Sequence, residues 1–199
     1  MEIIIGIVVS TLISLAAYKK KSLNKSGVVA AIILGTAIFS MGGIIPFGLM
    51  MIFFISSSIL SKIGKKRKLI LEEVHEKGDA RDYVQVIANG GVALIFLVIF
   101  QITKDVRFFV AAAVSFAASN SDTWASEIGV LSKGRTISIL TGKEMEKGMS
   151  GGMSILGTMA AFLGASLIGI SFIVLDILIF GYNRYSCRNL YHLYCNKIF

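Results

Sequence analysis

The stretch from Val28 to Leu60 contains no charged residue. A helix needs about 20 apolar residues to cross the hydrocarbon core of a bilayer. A run of this length therefore crosses, reverses and returns. "MGGIIPFG" (41–48) marks the reversal: Gly42, Gly43 and Pro46, the only proline of the chain, are turn residues. The pattern predicts helices over 28–41 and 44–61, the first a short, tilted, shielded or re-entrant one. A single kinked, buried helix is the alternative.

The neighbouring segments repeat the theme. "MEIIIGIVVSTLISLAA" predicts a first helix over 3–17, and its basic residues Lys19, Lys20 and Lys21 follow it. A signal peptide has the opposite order, so this is a retained span. Further spans are expected over 84–101 and from 107 through 127. The block 152–180 reads as one long tilted span, or as a span followed by a second short segment. Its Gly157, Gly164 and Gly169 suit close helix packing. The fold expected is an all-α, polytopic transmembrane helical bundle of about six spans. It forms one domain over 1–180, with an atypical polar, aromatic and basic tail over 181–199.

Composition agrees with that class. The chain of 199 residues is 55% hydrophobic and 16% charged, where soluble domains carry about 25% charged residues. Its mean hydropathy is +0.76. A net charge of +8 suggests nucleic acid in a soluble protein. Here the cations concentrate in loops between apolar runs, which assigns them to the membrane surface and leaves no nucleic-acid partner expected. Cys187 and Cys195, the only cysteines, form no metal-ligand pattern.

Basic loops stay in the cytosol. With 18–27 and 62–82 inside, the N-terminus lies outside, and 120–150 returns to the inside. The expectation is an integral protein of a prokaryotic-type plasma membrane. Its polar segments 62–82 and 120–150 gather on the cytosolic face. This favours chemistry at that surface over a pore.

"ASNSDTWASEIG" (118–129) ends one of the spans. On a continued helix, Asn120, Thr123 and Glu127 share one face, and Ser119, Asp122 and Ser126 share the next. The faces adjoin, so both acids are expected to approach one ligand. Ionisable residues at a span mark functional sites, although a polar helix end anchored by Trp124 at the interface is the structural alternative. "RDYVQVIANGG" (81–91) places Arg81 before a span and Asn89 inside it, where its amide needs a helix or a ligand as partner. "GKEMEKGMSGGMS" (142–154) flanks a turn with Lys143 and exposes backbone donors at Gly148, Gly151 and Gly152, with Ser150 as a cap for the next helix. It lacks the Walker A spacing. Carboxylates that hold Mg²⁺, with lysines and amides that neutralise phosphate oxygens, point to phosphoryl or nucleotidyl transfer to a lipid.

Together, "ASNSDTWASEIG", "GDARDYVQVIANGG" and "GKEMEKGMSGGMSILG" resemble the DUF92 family of integral membrane proteins, over about residues 20–170. The resemblance implies a function, since some plant members act as phytyl-phosphate kinases that use a nucleoside triphosphate, CTP. The family is also similar to polyprenol kinases and to CTP-dependent archaeal lipid cytidylyltransferases. Its motifs fall on Ser121, Asp122, Thr123, Ser126, Glu127 and Gly129. They also fall on Arg81, Gln85, Asn89 and Gly90, on Gly148, Gly151, Gly152 and Gly157, and on Lys62. Members continue with further spans, including a glycine-rich segment with an Asp-Ser pair. This chain instead has "LDILIFGYNRYSCRNLYHLYCNKIF", in which Asp176 lacks the surrounding pattern. A truncated or frame-disturbed end that disables the chain is one expectation, and a homo-oligomer that completes the bundle is another.

The reading is Mg²⁺-dependent phosphoryl transfer from CTP or ATP to an isoprenyl- or phytyl-type lipid monophosphate. Asp122 and Glu127 hold the metal as catalytic residues with Lys62 and Arg81. Asn89, Asn120, Ser121, Thr123, Ser126, Lys143, Gly148, Gly151 and Gly152 bind nucleotide or substrate. The alternatives are a CTP-dependent lipid nucleotidyltransferase, and a transport or non-catalytic membrane protein.

Overall fold

A computed structural model describes residues 1–68, 80–132, 134–146, 149 and 151–180, with the side chains of 63–68 and 180 outside the description. It contains six long helices: α1 (Glu2–Lys19), α2 (Lys25–Gly42), α3 (Ile44–Lys68), α4 (Tyr83–Thr103), α5 (Val106–Gly129) and α6 (Ile155–Phe180). All except α5 contain a stretch long and apolar enough to cross a membrane. α5 is as long but carries Arg107, Asp122 and Glu127. The protein is thus an all-α bundle of the polytopic transmembrane kind. The 28–61 run is two antiparallel helices, broken at Gly43, whose φ of +71° favours glycine. α2 has 18 residues, as many as α1, so it is a full-length helix rather than a short one. The last apolar block is one helix of 26 residues.

Local chemistry sets the helix starts. Asn24, Asp82 and Asp105 each accept a backbone N–H in the first turn of α2, α4 and α5, at 2.8, 2.9 and 2.9 Å. Ser154 does the same for α6, accepting from Gly157 N at 3.1 Å. Ser150 lies outside the described residues, and the cap of α6 is Ser154. Such caps contribute about 1 kcal/mol each.

The links hold one end of the bundle together. Arg81 N donates to Ser22 O at 3.0 Å, and Asn24 N donates to Arg81 O at 3.1 Å. The α1–α2 link is thereby tied to the start of α4. Lys62 Nζ at the end of α3 donates to Lys20 O at 3.0 Å. Ser61 Oγ donates to Glu127 Oε1 at 2.9 Å, bringing the end of α5 to the same level. Lys19, Lys20, Lys21, Lys25 and Lys62 therefore sit on one face, whereas Gly43 and the Lys104–Asp105 link turn at the other.

Phe100, Phe109, Phe116, Leu97, Ile38 and Leu49 fill the core. Small residues set helix spacing at its two flanks. On α1, Gly6, Ser10, Ser14 and Ala17 form the buried stripe. Between α5 and α6, a Cβ on Gly157 would lie 3.2 Å from the Gly129 Cα, and one on Gly164 would lie 2.9 Å from Trp124 Cγ. Gly169, expected to do the same, has nothing within 4 Å of such a Cβ. Trp124 thus packs inward against α6, and its indole N–H points to Ser56 Oγ at 3.4 Å. It does not serve as an outward interfacial anchor.

The segment between α5 and α6 folds into a small antiparallel sheet of β1 (Thr136–Ser138), β2 (Glu144–Met145) and β3 (Gly152–Met153), in the order β2-β1-β3. Ile137 pairs with Glu144 on one side and Met153 on the other. The sequence predicted only a polar, glycine-punctuated segment here.

Replacing Gly164 with Val should lower thermal stability in detergent by about 1–3 kcal/mol through overpacking. Gly169→Val should leave the melting temperature unchanged. Equal effects at the two positions would contradict the packing described.

Candidate functional site

α5 presents two polar faces to two different neighbours. On one side, the fully buried Asn120 accepts from Ser56 Oγ at 3.1 Å and donates from Nδ2 to Gly164 O at 2.8 Å. About two turns further on, Glu127 accepts from Ser61. Both partners are hydroxyls of the "SSSILS" run of α3. The sequence had placed Asn120 and Glu127 on one face, and the structure gives that face to α3.

On the other side, Asp122 and Ser126 line a cavity of about 630 Å³. Thr136 in β1, Gly151 and Gly152, and Ser154, Gly157 and Thr158 at the start of α6 also line it, together with apolar side chains that include Val130, Ile139, Met149 and Met153. Gly151 has φ +82°, and a Cβ on Gly152 would sit 2.7 Å from Thr136 Cγ2. Glycine is therefore required twice in succession for the loop to pass this close to β1. The start of α6 borders the cavity through Ser154, Gly157 and Thr158, and a helix start favours anions.

The expected convergence of both acids on one ligand is not what the helix geometry gives. Five residues at about 100° each turn Asp122 roughly 140° away from Glu127. Asp122 is exposed to the cavity, whereas Glu127 is half-buried against α3. No group of three or more His, Cys, Asp or Glu side chains gathers for a metal among the described residues. Mg²⁺ commonly takes one or two carboxylates together with substrate phosphates and water. Asp122, beside a helix start that favours anions, fits such a metal when a phosphate ligand brings it.

Other predicted residues take separate places. Thr123 donates back to Ser119 O at 2.9 Å along its own helix, and Ser121 is half-buried on α5. Lys143 is exposed beside the β1–β2 turn and is not part of the cavity wall. Gly148 lies outside the described residues. Lys62 is exposed on the basic face.

Arg81 and Asn89 line a second, smaller cavity between α1, α2, α3 and α4. The Arg81 guanidinium donates to Ser58 Oγ at 3.1 Å and lies over the rings of Phe53 and Phe54, at 5.8 and 5.3 Å. Burial pushes its pKa below the usual arginine value, and the Glu127 carboxylate pulls the other way. The sequence reading missed the serines of α3, Ser154, and Ser10 of α1. A run of hydroxyls inside an otherwise apolar helix was the available signal for the first group.

With this geometry in place, comparison with known proteins is decisive for the family. Residues 8–193 match the family described as integral membrane protein DUF92. The chain belongs to the DUF92 family. It is 32% identical to Protein PGR of Arabidopsis thaliana, over 94% of this chain and 68% of that protein. It is 34% identical to the uncharacterized membrane protein MJ0933 of Methanocaldococcus jannaschii, over 85% of this chain and 71% of the other. It is 29% identical to the chloroplastic Protein VTE6 of Arabidopsis thaliana, over 72% of this chain but only 44% of VTE6. No solved structure matches.

The two faces of α5 predict different reactivity. With Cys187 and Cys195 replaced by Ser, Asp122→Cys should react with a water-soluble maleimide in detergent-solubilised protein, and Glu127→Cys should react at least about tenfold more slowly. Equal rates would contradict the assignment of Glu127 to the α3 side.

Proposed function

We propose that this DUF92 protein transfers the terminal phosphoryl group of a nucleoside triphosphate, CTP, to an isoprenyl- or phytyl-type lipid monophosphate. One observation carries the reading: a carboxylate, Asp122, and an anion-favouring helix start with its glycine loop face the same cavity. An acid and a phosphate repel each other unless a cation lies between them, which is the arrangement of a Mg²⁺–triphosphate complex. The lipid class comes from the family resemblance.

Each group has a role in this reading. Asp122 would hold the metal, with Ser126 on the same cavity wall. Mg²⁺ bound there would supply charge neutralisation for the triphosphate. The amides at Gly151 and the start of α6 orient phosphate oxygens. Lys62 and Lys143, both exposed, raise the local concentration of anionic substrate. A lipid phosphate is already an oxyanion near neutral pH, with a second pKa of about 6, so no side chain need remove a proton. Its oxygen bonds to the terminal phosphorus, and the bond to the bridging oxygen breaks, leaving a lipid diphosphate and CDP. Catalysis rests on positioning and charge. The basic face then lies in the cytosol, where nucleotide is available, with the N-terminus outside.

Purified protein with Mg²⁺, CTP labelled in the terminal phosphate and farnesyl monophosphate should yield labelled lipid diphosphate and CDP. Asp122→Asn should lower that rate by at least about 100-fold with an unchanged melting temperature. Pyrophosphate with a CMP-bearing lipid would assign nucleotidyl transfer instead. Full activity in Asp122→Asn would refute the role given to this carboxylate.

A further inference from the structure

Three exposed apolar side chains stand together outside the long helices. They are Ile137 on β1, and Ile139 and Leu140 in the turn that follows it. Leu140 is 91% exposed and Ile139 67%. Single exposed apolar residues are ordinary on a protein surface, but a cluster of them marks a contact. The turn that carries them is held in shape. Ser138 N donates to Lys143 O, and Gly142 N donates to Ser138 O, each at 2.9 Å. Gly142 takes φ +65°, which favours glycine. Ile139 N donates to Gly151 O at 3.0 Å, which ties the turn to the strand on its other side.

The sheet joins this tip to the apolar surface of α6. Ile137 lies opposite Met153 in the β1–β3 register, so the two side chains share a face. Ile139 follows Ile137 by two residues and continues that face. β3 leads directly into α6, with Met153 two residues before Ile155. On α6, Ile155, Met159 and Phe162 follow at helical spacing, and all three are exposed. They lie on a helix whose residues Ile155–Ile179 are apolar enough to cross a membrane, so this stripe faces lipid. The apolar tip of the sheet is therefore continuous with a lipid-facing surface.

The depth of the tip agrees with that continuity. The 25 residues of the α6 span rise about 37 Å, more than the ~30 Å of hydrocarbon in a bilayer. The start of α6 thus stands in the interfacial zone, and β3 adjoins it. Ile139 borders the same cavity as Asp122 and Ala161. These lie about 10 Å inside the ends of α5 and α6 at 1.5 Å per residue. A turn that shares a cavity with them lies beside the bundle at its membrane surface, not out in the water beyond it. Charge does not supply the attraction. Arg135 faces Glu144 at 3.8 Å, and Lys143 is balanced by Glu146.

We propose that Ile139 and Leu140 insert into the interfacial zone of the leaflet on the basic side of the bundle, so that the lipid surface covers the tip of the sheet. Apolar burial drives the insertion, and no anionic headgroup is needed. Neither nucleotide nor turnover is needed either, so the proposal stands apart from the phosphotransfer reading.

The test is electron paramagnetic resonance of the full chain in dioleoyl phosphatidylcholine vesicles, with Cys187 and Cys195 replaced by Ser. Nitroxide labels are attached singly at Leu140→Cys, Glu146→Cys and Ile170→Cys. Collision with oxygen, which concentrates in lipid, is compared with collision with a water-soluble nickel chelate. Ile170, exposed in the middle of α6, is the lipid reference, and Glu146, exposed beyond β2, is the aqueous one. The oxygen-to-chelate ratio at Leu140 should exceed that at Glu146 by at least about fivefold, with or without added phosphatidylglycerol. Ile139→Glu should lower the Leu140 ratio at least about twofold at an unchanged melting temperature. A Leu140 label as open to the chelate as the Glu146 label would overturn the proposal. Low collision with both reagents would overturn it too, since protein rather than lipid would then cover the tip. A high ratio seen only with phosphatidylglycerol would overturn its apolar basis.

Discussion

The Asn120 carboxamide is fully buried between three helices, where a missing hydrogen bond costs about 1–3 kcal/mol. It accepts from Ser56 on α3 and donates to the Gly164 carbonyl on α6. Satisfying both partners at once fixes the rotation of α5 about its axis. Everything chemical in the bundle follows from that rotation. Glu127 is turned to Ser61, and Asp122 is turned to the cavity at the start of α6. Gly164 takes part twice: its carbonyl receives Asn120, and its missing side chain leaves room for Trp124.

The bilayer supplies the second constraint. Helices that cross it and return must place their polar links at one surface or the other. In this chain, the short turns at Gly43 and Lys104–Asp105 occupy one end, and the longer polar segments and most described cations occupy the other. The two cavities differ in their lining. One is lined with a carboxylate and glycine backbone, the other with a guanidinium and an apolar wall.

Much of the fold was legible in the sequence because apolar runs and their breaks are local. The uncharged run 28–60, with its break at Gly42, Gly43 and Pro46, read as a helical hairpin with a single kinked helix as the alternative, and it is the hairpin. The pairing of Asn120 with Glu127, and of Asp122 with Ser126, was also legible, since it needs only helical spacing. Which neighbour each pair meets was not, because that depends on the α3 serines and α6 glycines, far away in the chain. Gly157, Gly164 and Gly169 look alike in sequence, yet only the first two meet α5. The small sheet escaped because strands of two or three residues carry no readable alternation. The Arg81 cavity escaped because its walls come from five helices, and a single Ser10 in an apolar helix carries no pattern.

In the proposed function, Asp122 and the α6 helix start share one ligand through a cation. The most direct test is the Mg²⁺ dependence of CTP binding to the purified protein, measured by isothermal titration without any lipid substrate. Binding should be saturable with Mg²⁺ and weaken at least about tenfold when the metal is chelated. Equally tight binding in the presence and absence of Mg²⁺, or no binding at all, would contradict it.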